Sequence, residues 1–429
     1  MEMTEETEET DALKDTEEVE EMDGVDGMGG MGGAEGVEGG ESGAARAGAS
    51  MDGLRQAGDE LADATVAALF ERGEVAQFNT LMRYVSTVGA PLPDGLPEVA
   101  REYLEATRTP PAWVDWSEME RARLFFIDNN VHISTALSFA SMPACYLVPH
   151  VAKLLATTHA LDYPSKRMAE TGQFTVYLMR PDAFEAGSRF IPAAQKVRLL
   201  HAAIRHHLTS DDHWDAGAHG TPICQEDMIG GQMFFSLLVL DSLHRLGIHM
   251  SAQGAEAYYY AWRVVGAMLG VDQAAVPGTL DEARRFLDLY MVRHMGPSEE
   301  GAHLTRQLID LYEEVVPGTL FDPVVAALIR YLIGDTCADW LDVPRTRWDT
   351  VIKAAPRLLG VLETIEDRSP LGAWALDRLG HLTTVFELSS LTRGRVMHYA
   401  IPDALKPDYG ISGATPPTGR WTPPPVTEF

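Results

Sequence analysis

One histidine stands inside an otherwise apolar helical pattern, in the segment that runs from Gln195 to Leu208. His201 follows Val197 by four residues and precedes Ile204 by three, so these residues share one face of a predicted helix. An imidazole on such a face can ligate a metal, exchange protons, or be a core residue with one hydrogen-bond partner. From the spacing alone the core interpretation is favoured, because histidine is often partly buried.

A second helical segment, which precedes the first, also carries polar groups in an apolar stripe. Arg167, Thr171, Phe174 and Leu178 repeat at spacings of four, three and four residues. Glu170 lies three residues after Arg167, so the two side chains can pair in solvent, which contributes almost nothing to stability. The helical pattern alone favours that solvent-exposed pair.

The start of a third helix combines charged residues with two glycines. Gln225, Glu226 and Asp227 would occupy its first turn, where carboxylates suit the helix dipole, and helix capping is the favoured interpretation. Gly230 and Gly231 inside that helix cost about 1 kcal/mol each relative to alanine. Their presence indicates a close approach to the backbone, more often by another helix and otherwise by a flat ligand.

Other motifs carry little chemistry. The sequence contains no HExxH, no GxSxG, no P-loop and no closely spaced Cys–His pair. A formal GxGxxG at residues 27–32 has no strand before it and is not interpreted as a nucleotide site. Four histidines form a patch in an Asp-rich loop that is predicted to be exposed: His206, His207, His213 and His219.

The elements around these residues are predicted to be helices almost throughout. From Met51 onward, apolar residues repeat at three and four, and no alternating strand pattern is evident. The predicted segments are Leu54–Arg83, Glu118–Phe139, Arg167–Met179, Gln195–Leu208, Gln225–Leu246, Ala255–Leu269, Leu280–His294, Gly301–Val315, Pro323–Ile333, Trp348–Glu366 and Ala373–Thr392. No internal linker separates them, so the sequence predicts one large all-α domain over residues 51–401.

The two ends of the chain differ from this body. Residues 1–50 are rich in Glu, Gly and Met, and they are predicted to be a disordered acidic tail. Residues 402–429 are rich in Pro and Gly and are predicted to be extended or loose. The net charge of the chain is −29, and sixteen acidic residues against Lys14 place a net −15 within residues 1–45.

Composition excludes several classes of function. No cluster of Lys and Arg is available to neutralise phosphates, which argues against nucleic-acid binding. No apolar run of about 18 residues could span a bilayer, and no secretory signal is apparent. Cys145, Cys224 and Cys337 are far apart and odd in number, which fits a reducing compartment. We therefore expect a cytoplasmic protein, and the sequence indicates no oligomeric state.

From Gln195 to His207 the sequence resembles the catalytic domain shared by rubber oxygenases (latex clearing protein) and the ER-bound oxygenase mpaB. Further stretches that agree are Arg167-x-x-Glu170-Thr171, the run from Gly220 to Asp227, Trp262 to Gly266 with Leu269-Gly270, and Arg330 to Asp335 with Ala338-Asp339. The resemblance covers about residues 121–344, in order and with consistent spacing. It is fairly specific for the family and weak for any one substrate.

The resemblance implies an all-α fold that binds a b-type haem inside its helical core. It implies that His201 is the proximal iron ligand, which reverses the preference drawn from spacing alone. Arg167 and Thr171 would be distal groups that line the pocket for dioxygen and substrate. Arg198 or Arg205 could pair with the haem propionates, and nothing in the sequence chooses between them.

The sequence also departs from the rubber-cleaving members, in which a lysine that can ligate iron occupies the position of Glu170. No residue upstream matches their catalytic glutamate, and their export signal is absent, so rubber cleavage is not the expected activity. The sequence predicts a haem b-dependent oxygenase or oxidase that uses dioxygen on an apolar small molecule such as an olefin. Glu170 could shuttle a proton if burial raises its pKa. The alternative is a non-catalytic helical protein that binds haem or another ligand.

Overall fold

The computed structural model describes residues 51–157, 164–210, 214–315 and 322–354. Those residues form helices and connecting loops and contain no strand, which confirms the predicted all-α class. The helices are α1 (Glu60–Glu71), α2 (Val75–Met82), α3 (Glu98–Ala106), α4 (Trp116–Asp128), α5 (Asn130–Ala136), a π-helical turn (Leu137–Ser141), α6 (Met142–Tyr146), α7 (Pro149–Thr157), α8 (Pro164–Leu178), α9 (Phe190–Ser210), α10 (Ala216–His219), α11 (Gln225–Phe235), α12 (Leu237–Arg245), α13 (Ala252–Met268), α14 (Leu280–His294), α15 (Glu299–Val315), α16 (Asp322–Ile333) and α17 (Asp335–Trp340). The predicted tails, and the predicted helix Ala373–Thr392, lie outside the described residues.

Local side-chain chemistry fixes many helix ends. The clearest case is α14, whose observed bounds are the predicted ones. Thr279 accepts a hydrogen bond from the Glu282 backbone, and the Glu282 side chain accepts one from the Thr279 backbone. This capping box satisfies backbone donors that the first turn of a helix otherwise leaves unpaired.

Three predicted segments prove to be interrupted. Gly73 adopts φ +67 between α1 and α2, a left-handed conformation that ends a helix. Asn129 donates its side-chain N–H to the Phe125 carbonyl at 3.0 Å and separates α4 from α5. Ser236 similarly donates to the Gln232 carbonyl at 2.7 Å and separates α11 from α12. Periodicity continued across these breaks, because the apolar face resumes in the next helix.

The sequence pattern missed two helices that begin at proline. α3 follows Pro97, and α7 starts at Pro149. Proline suits the first turn of a helix, where its missing N–H leaves no bond unmade. Pro143 instead follows the π-helical turn, where it cannot donate to the Phe139 carbonyl, and this accounts for the local change in the hydrogen-bond ladder.

Helix α9 lies between the two main apolar clusters. Its residues Phe190 and Ala194 belong to the larger cluster, which joins α4–α8 with α11–α17. Leu199 and Ala203, on another face, belong to a second cluster with α1, α2 and α3. The helix that carries His201 is therefore held from both sides.

Two expectations about environment can be compared with the structure. The three cysteines are all described and none forms a disulfide. In the described ranges no single helix is both long and apolar enough to cross a membrane; only Asn130–Tyr146 and Pro149–Thr157 reach that length together, with a bend of 96° between them.

Candidate functional site

His201 lies on the apolar face of α9 that its spacing predicts. Ile204 and Leu208 are buried in a cluster with Leu154 of α7 and Trp214. Val197, on the same face, packs against the larger cluster. His201 itself is half-buried. Its ring thus stands on an apolar surface that is not fully covered by protein.

The two arginines beside His201 have carboxylate partners within the protein. Arg198 donates two hydrogen bonds to Asp59, at 2.5 and 2.8 Å, and Arg205 donates one to Asp63 at 2.8 Å. Both aspartates stand at the start of α1. These guanidinium groups fasten α1 to α9. Their pairing with haem propionates stays a prediction.

The start of α11 meets α9 close to His201. Arg205 donates to the Ile223 carbonyl at 3.0 Å, and Ile223 packs on the cluster that contains Ile204. On the other side of His201, a Cβ on Gly270 would lie 2.5 Å from Nε of Arg198. The Gly270 carbonyl accepts from Gln225, the first residue of α11, at 3.0 Å. Arg198, one turn before His201, is therefore linked through Gly270 to Gln225 at the start of α11. Arg205, one turn after His201, is linked to Ile223 just before α11.

Helix α11 is buried except along one face. Asp227, Met228, Gly231 and Phe235 are half-buried, and every other residue of the helix is buried. These four residues follow a spacing that places them on the same side of a helix. Three of the four carry no charge, so this half-exposed face of α11 is an apolar wall.

The two glycines of α11 differ in their surroundings. A Cβ on Gly230 would lie 2.5 Å from the ring of Tyr290 on α14, so this glycine allows the close helix approach that was the favoured interpretation. Among the described residues, a Cβ on Gly231 would have no atom within 4 Å. Gly231 therefore leaves open space beside the half-exposed face, the shape that a flat ligand needs.

A buried charge cluster closes the first turn of α11. The carboxylate of Asp227 accepts hydrogen bonds from Arg55 at 2.8 Å, His150 at 2.8 Å and Tyr290 at 3.0 Å. Burial by itself raises the pKa of Asp227, but the hydrogen bond and charge of His150, with the charge of Arg55, lower that pKa to about 2. Asp227 is therefore an anion that holds three segments together.

Glu226 completes this cluster. It is fully buried and accepts from Arg293 at 3.2 Å and from His294 at 2.8 Å, both at the end of α14. Capping, which the sequence favoured for these carboxylates, thus describes only part of their role. Sequence analysis did not single out His150 or Tyr290, because their link to Asp227 spans 77 and 63 residues.

Helix α8 carries the predicted distal residues. Glu170 and Thr171 are half-buried, and the backbone of α8 packs beside α9 and α15. Arg167 lies in the same helix, but its side chain is outside the described residues. The distal roles of Arg167, Glu170 and Thr171 stay predictions.

The predicted exposure of the histidine patch is wrong for its three described members. His206 is half-buried and its ring stacks on Phe70, with 4.6 Å between the ring centroids. His207 is buried against the same Phe70 ring, with 5.1 Å between the centroids. His219 is half-buried beside Trp214. His213 lies outside the described residues.

The donor set around His201 fits a haem better than a protein-built metal centre. Within the described ranges, no group of three or more His, Cys, Asp or Glu residues could hold a metal ion. A haem needs only one axial imidazole, because the macrocycle supplies the other four nitrogens. A half-buried imidazole on an apolar helix face meets that requirement.

A helical fold that carries one imidazole on an apolar helix face defines the class of protein, and the comparisons then give the family. The family model "ER-bound oxygenase mpaB/B'/Rubber oxygenase, catalytic domain" matches residues 130–363. The chain belongs to this family. The match agrees with the resemblance drawn over residues 121–344.

Two known proteins are similar over most of their length. The chain is 26% identical over 360 residues to the rubber oxygenase of Streptomyces sp. (strain K30), covering 81% of this chain and 86% of that protein. A solved structure of the latex clearing protein LCP in the closed state superposes with a TM-score of 0.71 at 25% identity, covering 82% of this chain and 95% of the other. These findings indicate an oxidoreductase of the oxygenase type.

One motif of the resemblance proves to be structural. Arg330 is 1% exposed and donates to the Val343 carbonyl at 2.8 Å, to Asp335 at 3.0 Å and to Asp339 at 2.6 Å. It thereby ties α16 to α17. A buried guanidinium needs such partners, which explains why these residue types occur together.

Proposed function

We propose that this protein is a haem b-dependent oxygenase or oxidase that uses dioxygen on an apolar small molecule such as an olefin. One observation carries the proposal: His201 stands half-buried on the apolar face of α9, in a helix whose contacts on either side of His201 reach the start of α11. Membership of the oxygenase family supports it.

Within the proposal, His201 holds the haem iron, and Gly231 leaves room for the flat macrocycle. When bound, a haem would supply the redox-active iron that dioxygen chemistry needs. The apolar side chains around His201 exclude water and tune that iron. Met228 and Phe235 offer contact area to an apolar substrate.

The proposal assigns polar roles to three residues of α8. Thr171 and Arg167 would orient dioxygen, the hydroxyl as a hydrogen-bond donor and the guanidinium as a positive charge. Glu170 would move a proton, since a carboxyl group can both give and accept one. The Streptomyces relative is named for its action on rubber. We propose a small molecule here, because Glu170 stands where the rubber-cleaving members carry lysine.

Absorbance spectroscopy of the purified protein, with a pyridine haemochrome assay, tests the cofactor. We expect an intense Soret band and haem b in a one-to-one ratio. His201→Ala should lose the haem while keeping its helical circular dichroism. His206→Ala is the matched control, because it removes an imidazole from another face of α9 and should keep the haem. If His201→Ala retained stoichiometric haem with unchanged bands, His201 would not be the ligand.

Product analysis separates the enzyme from the non-catalytic alternative, which the acidic residue at position 170 favours. The haem-loaded protein is incubated with an apolar alkene under oxygen or under argon. Oxygen-dependent products support the oxygenase. Spectral changes on alkene binding without any product support a binding protein.

A further inference from the structure

A polar side chain lies at the edge of the half-exposed face of α11 without a protein partner. Gln232 is 6% exposed. Within the part of the chain that the structure describes, neither its Oε1 nor its Nε2 takes part in a hydrogen bond. Native proteins rarely leave both ends of a buried amide unsatisfied. Gln232 is therefore placed to bind a group that the described residues do not supply.

Gln232 lies between the half-exposed face of α11 and helix α13. Gln232 follows Gly231 directly, and it lies one turn from Met228 and from Phe235, so it borders the half-exposed face. Its amide end lies against Gly266 of α13, where a Cβ would collide with Oε1 and lie 3.2 Å from Cδ. The missing side chain of Gly266 makes the room that the amide occupies.

We propose that Gln232 is a polar subsite of the substrate pocket, and that the substrate is an apolar olefin carrying a hydrogen-bonding oxygen group. This inference rests on the proposed function. An amide both donates and accepts, so it can bind a hydroxyl, a carbonyl or a carboxyl group. The residues beside it, Met228, Gly231 and Phe235, suit a hydrocarbon chain. The pocket thus distinguishes a functionalised olefin from a pure hydrocarbon.

Two probes that differ by one hydroxyl group test the subsite: geraniol and 2,6-dimethylocta-2,6-diene. Their dissociation constants for the purified protein are measured by calorimetry and by quenching of tryptophan fluorescence. The ring centroids of Trp262 and Phe235 lie 5.4 Å apart, so Trp262 is close to the half-exposed face of α11. Gln232→Met keeps the length of the side chain and removes its hydrogen bonds. We expect the preference for geraniol to fall by about threefold to tenfold, the size of one neutral hydrogen bond.

Two further variants make the result specific. Gly266→Ala should cause a similar loss of preference, because its Cβ displaces the amide without removing it. Phe235→Leu is the matched control in the apolar wall, and it should weaken both probes by the same factor. In urea unfolding without ligand, Gln232→Met should be at least as stable as the wild type, because it buries no unpaired amide.

The outcomes separate the two proposals. Equal preference in the wild type and in Gln232→Met, or a clear loss of stability in that variant, would mean that the amide serves a bound water only, and would overturn the subsite. A wild-type protein that binds neither probe would overturn the proposed function and the subsite together. Binding of both probes with a preference that depends on Gln232 supports both.

Discussion

Replacing Gly230 by alanine probes the close contact between α11 and α14. The new Cβ would lie 2.5 Å from Cζ of Tyr290 and 2.7 and 2.8 Å from its two Cε atoms. Ordinary contact between carbon atoms needs about 3.5 Å, so the ring must move by about 1 Å. Tyr290 is 1% exposed and packs against Phe234 and His294, which leaves the ring little room.

The expected cost follows from three terms. Overpacking a buried ring costs about 1–3 kcal/mol. Weakening the hydrogen bond from Tyr290 to the charged Asp227 costs up to about 1.5–3 kcal/mol. The higher helix propensity of alanine stabilises the helix by about 1 kcal/mol relative to glycine and offsets part of this loss. We therefore expect Gly230→Ala to lower the free energy of unfolding by about 3 kcal/mol.

Urea unfolding followed by circular dichroism measures this change. Gly231→Ala is the matched control, because it adds the same methyl group at the next residue, where no atom lies within 4 Å. Its free energy of unfolding should equal or exceed that of the wild type. In the Tyr290→Leu background the clash is absent, so the double variant Gly230→Ala with Tyr290→Leu should be more stable than Tyr290→Leu alone. If Gly230→Ala were as stable as Gly231→Ala, the close contact between α11 and α14 would be refuted.

Three other predictions concern charge and the N-terminal tail. The pKa of Asp227 lies below its unfolded value, so the ionised carboxylate stabilises the fold above pH 4 and this stabilisation is lost towards pH 2. The difference in unfolding free energy between wild type and Asp227→Asn should therefore shrink by about 2 kcal/mol between pH 5 and pH 2. A difference that stays constant in acid titrations would contradict this. Arg198→Ala should lower the free energy of unfolding by about 3 kcal/mol, because it leaves Asp59 buried without its cation. A double-mutant cycle with Asp59→Ala should give a coupling energy above about 1 kcal/mol. Additive losses in that cycle would disprove the ion pair. Deleting residues 1–50 should leave haem content and melting temperature unchanged, since their composition offers no core contacts; a drop of several degrees would show that the tail docks on the body.

The sequence by itself determined the features that depend on residues close together in the chain. The apolar stripe through His201 follows from spacing within one helix, and the structure shows that stripe. The bounds of Leu280–His294 follow from a capping box three residues wide. Such signals act over one turn, so a single sequence contains them whole.

Tertiary structure alone decided which partners those residues meet. Arg198 pairs with Asp59 across 139 residues, and no local pattern marks that aspartate. Gly230 and Gly231 look alike in the sequence, yet one accommodates Tyr290 and the other faces open space, because only the position of α14 distinguishes them. Gln232 became a candidate site for the same reason. A side-chain amide is ordinary in a sequence, and only the packing of α11 against α13 shows that its amide has no hydrogen-bond partner among the described residues.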